Sequence, residues 1–501
     1  MPLLSRLRRY AIAVRSGAPA MPFTTGVVVG QVLAWFATNY IIAIALTALG
    51  GLIALKRRGV SALLLGTVVG LLCCVHLRGE QRASRSSADT EVLLRIIESP
   101  SRRKPGEVTF VGEAESVDRG NFRCRAVDLP WRNVADLREG DVVWVRGEAS
   151  PVVRPLNPFS WEAYLWRRGI ATDLKARFVS KAVTSEESFS AQVRTSIKRI
   201  VARADSLNRG ESLFLSMVFG FKDLLSADVE DAFKKLGLTH LLVVSGYQVS
   251  LVFGVCVFVS RVVAGWCAGR VVLRSLVNCL AWGMSLLYVT VIGFEMSAVR
   301  ALIAAACVCA DLVLERSSGF AQRWWVALLM VNILSPWSFF EIGVILTFAA
   351  LAGIGIGITL GGQRQVATYL WINIAVWLST SSVMLLWVGS ISLVSILLNV
   401  LVPGPWSFLN CTVGMIGLLL FTLGLDSHGA LLWAVTSAND CVATYLVNLS
   451  RTLTATVELQ GAERWGCAGA LIAISGWLYF RSARKYRIPV RLLSGGRKSL
   501  S

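Results

Sequence analysis

Long apolar runs alternate with short polar segments along most of this chain. Apolar stretches recur between residues 24 and 480, and many have the roughly 20 residues that an α-helix needs to cross a bilayer. Counting these stretches predicts about twelve crossings or half-crossings. The pattern therefore predicts a polytopic α-helical membrane protein.

One long segment departs from this pattern. Residues 78–190 are charged and contain no apolar run of membrane length. Short runs at 108–117, 122–129 and 142–148 alternate between apolar and polar residues and are separated by turn residues, as in small β-structures. The segment therefore predicts a small β-barrel inserted between membrane helices.

The same changes in pattern divide the chain into five predicted parts. These are N-terminal membrane helices (1–77), the small barrel (78–190), amphipathic helices at the outer membrane surface (191–235), a membrane core (236–480) and a basic tail (481–501). Within the core, residues 426–464 are polar enough to predict a loop outside the membrane with one amphipathic stretch.

Composition agrees with a membrane protein. The chain has 501 residues, 54% of them hydrophobic and 16% charged, and its mean hydropathy is +0.60. These values exclude an ordinary soluble enzyme, in which about a quarter of the residues are charged. The net charge of +19 comes largely from Lys and Arg at the ends of spans. Such clusters mark cytoplasmic loops, so we expect both basic termini to be cytoplasmic.

Cysteine and histidine offer little chemistry. The eleven cysteines form no C-x-x-C pair, and there are three histidines, so we expect no metal site and no cofactor. Only Cys124 and Cys441 fall in segments expected outside the membrane, which leaves a disulfide between them as one option. No nucleotide-binding, zinc-protease or serine-hydrolase motif is present, and we expect no enzymatic activity.

A polar cluster interrupts the apolar stretch 236–254. Polar groups at membrane depth face either a tightly packed helix neighbour or a water-filled path. Both interpretations are open for this cluster, which consists of Thr239, His240, Ser245, Gly246 and Gln248.

Further polar or helix-breaking residues occur later in the core. Arg300 lies near the start of an apolar span, where a charge requires a partner, and Glu295 and Glu341 are the candidate partners. Asn399 precedes Pro403, which opens a Pro-Gly-Pro break. Such a break is typical either of a transport site or of a simple hairpin tip.

Four stretches resemble the ComEC competence family. The sequence GLTHLLVVSGYQV at 237–249 resembles its signature G-L-[ST]-H-L-L-A-[IV]-S-G-L-H-V. Residues 297–301 resemble S-x-x-R-A, residues 341–348 resemble D-P-x-F-x-L-S-F, and residues 380–406 resemble a further block. The resemblance covers about 78–406 and includes 154–170. Gln248 replaces the second histidine of the signature, and Ile345 replaces an amide residue.

This resemblance implies a bacterial inner-membrane channel that carries single-stranded DNA inward during natural competence. It implies that the barrel is an extracytoplasmic OB-like domain, and that the partners are single-stranded DNA, the lipid bilayer, a cytoplasmic helicase and an extracytoplasmic DNA receptor. The channel residues would be Thr239, His240, Ser245, Gly246, Gln248, Arg300, Glu341, Asn399 and Pro403.

OB folds bind single strands through aromatic and basic side chains. The candidates in the barrel are Arg123, Arg125, Trp131, Arg132, Trp144, Arg146, Arg167 and Arg168. Residues 91–194 carry 17 Lys and Arg against 15 Asp and Glu, so DNA binding there would require a local patch.

Many members of this family also carry a C-terminal metallo-β-lactamase-like domain, which we expect to be missing here because the chain ends soon after its last span. Two other function classes are alternatives. One is a small-solute or ion-coupled transporter, for which only Asp311 and Glu341 are suitable intramembrane carboxylates. The other is a structural membrane protein that transports nothing.

Overall fold

The computed structural model describes most of residues 87–485 and, before them, residues 24–29, 31 and 67. The gaps within 87–485 are 105–106, 117–119, 130–133, 135–136, 138–139, 153–156, 158–159, 184–188, 203–206, 243, 267–270, 315–318, 336 and 454–455. Most of the predicted N-terminal helices, the end of the basic tail, Trp131 and Arg132 lie outside the described residues.

Five strands close into a barrel in the order β1-β2-β3-β5-β4, and β4 pairs back with β1. The elements are β1 (Ser87–Lys104), β2 (Glu107–Ser116), β3 (Gly120–Leu129), β4 (Val142–Pro151), the short helix α1 (Trp161–Arg167) and β5 (Ile170–Val183). All neighbours are antiparallel except β3 and β5, which are parallel.

The barrel follows the alternation of its sequence. Along β4 every second residue from Val143 to Ala149 is buried, and the intervening residues are exposed. The barrel core includes Leu94, Phe110 and Leu174. The three strands predicted from the sequence are confirmed. Strands β1 and β5 were missed because register shifts interrupt their pairing and blur a strict two-residue alternation.

Three helices connect the barrel to the apolar part of the chain. They are α2 (Phe189–Val201), α3 (Arg209–Phe219) and α4 (Ala227–Lys235). Helix α3 begins with a capping box between Asn208 and Glu211 and ends at Gly220 in the left-handed conformation. Every residue from Gly210 to Phe219 is buried. This helix is therefore enclosed by protein, which differs from the expected position on the membrane surface.

The remaining chain is mainly helical. Its first helices are α5 (Gly246–Trp266), α6 (Val271–Val291), α7 (Met296–Val313), α8 (Phe320–Leu334), α9 (Ile342–Gly361) and α10 (Gln365–Trp387). Then come β6 (Ser390–Ser392), α11 (Ser395–Leu401), α12 (Pro403–Phe408), a π-helix (Leu409–Gly414), α13 (Met415–Thr422), α14 (Ala430–Thr452), β7 (Thr456–Glu458) and α15 (Gly461–Lys485).

Five described helical segments are long and apolar enough to cross a membrane. They are Met296–Val313, Ile342–Gly361, Gln365–Trp387, Pro403–Thr422 and Ala430–Thr452. These segments and the closed barrel confirm a helical membrane protein with an inserted barrel. The crossing number and the side of the membrane that holds the barrel remain predictions.

Helix α14 corrects the prediction of a polar loop at 426–464. Its sequence includes Thr436, Asn439 and Asp440, which lower its hydropathy. Thr436 and Asn439 are buried within the protein. A loop was predicted because hydropathy alone does not distinguish polar residues that face protein from polar residues that face water.

The chain divides into two compact units. Unit 1 contains the barrel and the other described residues up to Ser226, together with Leu242–Glu341 and Leu409–Ala443; unit 2 contains Ala227–Leu241, Ile342–Phe408 and the described residues from Thr444 onwards. The core of the helical part of unit 1 is built around residues such as Phe214, Val244 and Val289.

Unit 2 is organised by a close pair of helices, α9 and α10. Gly353, Gly357 and Gly361 recur every four residues along α9. A Cβ atom at any of the three would overlap the backbone of α10. Small residues at this spacing allow helix backbones to approach closely, as at many interfaces between membrane helices.

Candidate functional site

The signature stretch is not one continuous helix. A short 3₁₀-helix covers Thr239–Leu241, and α5 begins at Gly246. Between them, Leu242, Val244 and Ser245 lie outside any helix. In a membrane, backbone of this kind is tolerated only where other protein groups or water satisfy it.

Two serine side chains satisfy this backbone in unit 1. The Ser216 hydroxyl of α3 donates to the Leu242 carbonyl at 2.7 Å, and the Ser297 hydroxyl of α7 donates to the Val244 carbonyl at 2.6 Å. Both carbonyls would otherwise be without helical partners. Hydrogen bonds from α3 and α7 therefore stabilise the non-helical backbone of the signature.

Gln248 caps the helix that follows the break. Its Oε1 accepts a hydrogen bond from the Ser245 backbone N–H at 2.7 Å. A Gln three residues after a Ser is the usual partner in a capping box. Gln248 is fully buried, and its Nε2 has no hydrogen-bond partner among the described residues. The side-chain oxygen of Gln248 therefore caps the start of α5. This capping bond explains how Gln can occupy the position of the family histidine.

The signature packs directly on the S-x-x-R-A segment of α7. A Cβ atom on Gly246 would lie 3.3 Å from the Cβ of Ala301, so the absence of a side chain lets α5 approach α7 closely. Together with the hydrogen bond from Ser297 to Val244, this contact joins two of the stretches that resemble the family.

Arg300 lies next to this contact and is 7% exposed. The carboxylates of Glu341 and Glu295 both interact electrostatically with its guanidinium. Glu341 also interacts with Arg167 at the end of α1 in the barrel. Burial lowers the pKa of the Arg167 guanidinium, while the Glu341 carboxylate acts in the opposite direction. The Glu341 carboxylate thus interacts with one arginine of the barrel and with one arginine of α7.

Aromatic packing reinforces this meeting point. The rings of Trp166 in α1 and Trp337 make an edge-to-face contact with centroids 5.9 Å apart. Trp337 is buried and has a positive φ of 74°. Glu341 and Glu295 were the candidate partners of Arg300, whereas Arg167 was predicted as a DNA contact, and unit 1 brings Arg167, Arg300 and Glu341 together.

The other predicted channel residues lie in unit 2. Thr239 and His240 are exposed in the 3₁₀-helix. Asn399 lies on α11, and its Oδ1 is buried without a hydrogen-bond partner among the described residues. Pro403 is the first residue of α12, where its missing N–H is harmless. The Pro-Gly-Pro sequence therefore starts a helix just after the end of α11.

Unit 2 also links two family stretches. Gly237 has a φ of 73°, and a Cβ atom there would lie 2.6 Å from the Cβ of Ser395. The Ser395 hydroxyl donates to the Ser392 carbonyl at 2.6 Å and accepts from Trp377 Nε1 at 3.0 Å. Both the positive φ and the lack of space for a Cβ atom therefore favour glycine at position 237.

Several predicted DNA-contacting arginines of the barrel have partners within it. Arg125 forms a 2.9 Å ion pair with Asp173 and packs over the Trp161 ring. Arg168 donates to the Tyr164 hydroxyl at 3.2 Å. Arg123 donates to the backbone carbonyl of Arg168 at 3.4 Å. These side chains strengthen the barrel around α1.

Trp144 and Arg146 have a different position. Both point outward from β4, and Trp144 is 44% exposed. Across the β4–β5 pairing, Arg146 lies opposite Phe178 and Trp144 lies opposite Ser180. Phe178 is 59% exposed. Opposite residues share a face of the sheet, so two exposed aromatic rings and an arginine form one outer surface, which we name the β4–β5 face.

Phe178 was missed from the sequence. Its signal is the run KARFVSK at 175–181, in which a large aromatic residue interrupts a polar strand. Without the register of β5 against β4, this residue could not be assigned to an exterior surface.

A buried amide pair was also missed. Asn410 in the π-helix and Asn439 in α14 are fully buried and exchange two side-chain hydrogen bonds of 3.1 and 2.7 Å. π-Helical turns occur frequently at functional sites. The sequence signal is weak: Asn410 is the one asparagine in the segment Pro403–Thr422, and Asn439 is one of two asparagines in Ala430–Thr452.

No cluster of three or more His, Cys, Asp or Glu side chains suited to a metal ion occurs in the described part of the chain. Cys124 and Cys441 are free thiols rather than a disulfide. Cys124 lies in the barrel core, where burial and, to a smaller extent, Asp173 raise its thiol pKa to about 12.

The chain is similar to known competence proteins. A family model described as "Competence protein" matches residues 217–484. The chain is also similar to "Competence protein ComA" from Neisseria gonorrhoeae, with 29% identity over 252 residues. That match covers 48% of this chain and 35% of the relative. No solved structure gives a significant match.

Proposed function

Because this chain belongs to the competence protein family, which indicates a role in DNA uptake, we propose that it forms an inner-membrane channel for the inward passage of single-stranded DNA. The observation that carries the proposal is the non-helical backbone of the signature at Leu242, Val244 and Ser245. Helix breaks at membrane depth frequently occur at transport sites, where backbone and helix ends meet the transported solute.

Two further features support this assignment. Arg300, Arg167 and Glu341 place charges beside the broken segment, at the junction of α7 with the barrel. The β4–β5 face presents Trp144 and Phe178 with Arg146 between them. Aromatic rings that stack on bases and cations that meet phosphates are the usual means of binding single strands without sequence preference.

We propose that the barrel is extracytoplasmic and receives the strand, that both termini are cytoplasmic, and that an extracytoplasmic DNA receptor delivers the substrate. We further propose that this chain performs no hydrolysis or nucleotide chemistry. A cytoplasmic helicase would then supply the pulling force.

The test is to follow labelled DNA in naturally competent cells that lack this chain and in the same cells after its restoration. Surface-bound and cytoplasmic label are measured separately. We expect deletion to leave DNA bound outside, to abolish cytoplasmic label, and restoration to recover it. Unchanged cytoplasmic label after deletion would reject the channel and favour solute transport or a structural role.

Replacing Arg300 distinguishes a channel from an inert structural protein. Arg300→Ala removes a nearly buried charge that interacts with Glu341 and Glu295. We expect at least a tenfold lower rate of internalisation in a variant that reaches the wild-type protein level, and partial recovery with Arg300→Lys. A structural protein would give wild-type rates with Arg300→Ala at equal protein level.

A further inference from the structure

The turn between α6 and α7 displays an aromatic side chain in an unusual backbone conformation. Phe294 has a φ of 54° and is 52% exposed. It follows Gly293, whose φ is 81°, and its N–H donates to the Val289 carbonyl at 3.0 Å. Bulky residues rarely adopt positive φ. Since backbone preference does not favour Phe here, the exposed ring itself is the feature to explain.

Cationic side chains surround this turn. Arg194 of α2 donates to the Ile292 carbonyl at 2.8 Å. Lys222 forms a 3.1 Å ion pair with Glu295. Arg194 thus lies beside Ile292 and Gly293, the two residues before Phe294. Lys222 contacts Glu295, the residue after it.

A second aromatic residue, Phe221, contacts two cationic side chains of α2. Arg194 and Lys198 both lie over the ring of Phe221, each with its charged group 4.4 Å from the ring centre. Phe221 is buried. Arg194, Lys198 and Lys222 thus place three cationic side chains on the segments next to the turn, and Lys222 pairs with the Glu295 carboxylate.

These contacts favour a nucleic acid over lipid as the neighbour of Phe294. Two of the segments that touch the turn are α2 and the 3₁₀-helix Lys222–Leu224, which carry charged residues and lie outside the apolar spans. An exposed ring beside fixed cations matches the pairing of base and phosphate in a single strand.

We propose that Phe294 is a base-stacking residue for single-stranded DNA, with Arg194 and Lys222 as the cations that meet the adjacent phosphates. The inference rests on the proposed channel function and places a second DNA contact in unit 1, separate from the β4–β5 face.

The first experiment uses the full chain in competent cells. Phe294→Leu keeps an apolar side chain but removes the aromatic ring, and Phe294→Trp keeps stacking. We expect Phe294→Leu to lower the rate of DNA internalisation about tenfold, and Phe294→Trp to stay within about twofold of wild type. The matched control is Phe258→Leu, an equal change at an aromatic residue of α5 that is 68% exposed, and it should have no effect.

The second experiment uses the purified full chain in lipid vesicles, with a benzophenone amino acid at position 294. Illumination with labelled oligodeoxythymidine should cross-link DNA at position 294 but not with the same group at Leu276, another exposed position. Cross-linking to phospholipid alone, or equal internalisation by the Leu and Trp variants, would overturn the proposal.

The two experiments separate this inference from the channel proposal. If restored wild-type chain rescues internalisation and Phe294→Leu does so equally, only the stacking role fails. If deletion does not impair internalisation, the channel proposal fails, and the cross-link alone decides whether Phe294 contacts DNA.

Discussion

The β4–β5 face and the helical interior of unit 1 differ in the exposure of their side chains. Aromatic rings are exposed on the face, whereas polar side chains are buried and hydrogen-bonded in the interior. On the barrel, Trp144 and Phe178 remain exposed around Arg146. Among the helices, Asn410 and Asn439 are fully buried and bond to each other, and Gln248 caps a helix. The rings of Trp144 and Phe178 are exposed to solvent, whereas the buried amides stabilise the fold. Substitutions in the two regions should therefore separate binding from stability.

The largest expected effect is steric and lies in the helical interior. A Cβ atom on Gly210 of α3 would overlap the Thr436 carbonyl oxygen of α14. We expect Gly210→Ala to lower the free energy of unfolding by about 3 kcal/mol, at the upper end for overpacking. Gly254→Ala is the control because a Cβ there meets no atom within 4 Å. Thermal unfolding of both variants in detergent measures the difference. Equal stabilities would contradict the close approach of α3 and α14.

Substitutions on the β4–β5 face should lower DNA affinity without lowering stability. Trp144→Ala and Phe178→Ala should each lower the affinity of the full chain for a labelled oligodeoxythymidine about tenfold, since one stacked base is lost. Their unfolding temperatures should match wild type because both rings are exposed. Fluorescence anisotropy measures the affinity, with Glu162→Gln on α1 as a control for a change in exposed charge. Loss of stability without loss of affinity would assign these rings to the fold.

A smaller effect is expected at the buried amide pair. Asn410→Leu deprives Asn439 of its Asn410 partner and should lower the unfolding free energy by about 1 kcal/mol, as for other hydrogen bonds between membrane helices. Asn410→Leu combined with Asn439→Leu should destabilise less than the two single changes added together. Strict additivity in this cycle would mean that the two amides do not stabilise each other.

The smallest effect concerns Cys124. Its pKa of about 12 keeps the thiol protonated in the folded barrel at pH 8, so a maleimide should label it only after denaturation. Because the folded pKa is raised, its contribution to stability is present below the unfolded pKa and is lost as pH rises towards 12. Cys124→Ala should therefore be less sensitive to pH between 9 and 11 than wild type. Rapid labelling of the native chain would contradict the burial.

Particular residues mark the limit of prediction from sequence. Strands β2, β3 and β4 were predicted from alternation, whereas β1 and β5 were missed because bulges interrupt it. Arg300 was selected because a charge near an apolar segment requires a partner, with Glu295 and Glu341 as candidates, whereas Arg167 was selected as a basic residue of the OB-like barrel. Their meeting point depends on the contact between α1 and the segment 337–341, which are about 170 residues apart in sequence.

Hydropathy, alternation and short motifs are local properties, so the membrane class, the inserted barrel and the four stretches that resemble the competence family could be predicted from the sequence alone. Whether a given polar residue faces protein or solvent depends on contacts that form in the folded chain. Helix α14 was predicted as a loop for this reason, and for the same reason the ion pair of Arg125 with Asp173 could not be predicted from the sequence. A polar side chain acquires its role from its partner, Asn410 for Asn439 and Asp173 for Arg125, and neither partner is adjacent in the chain.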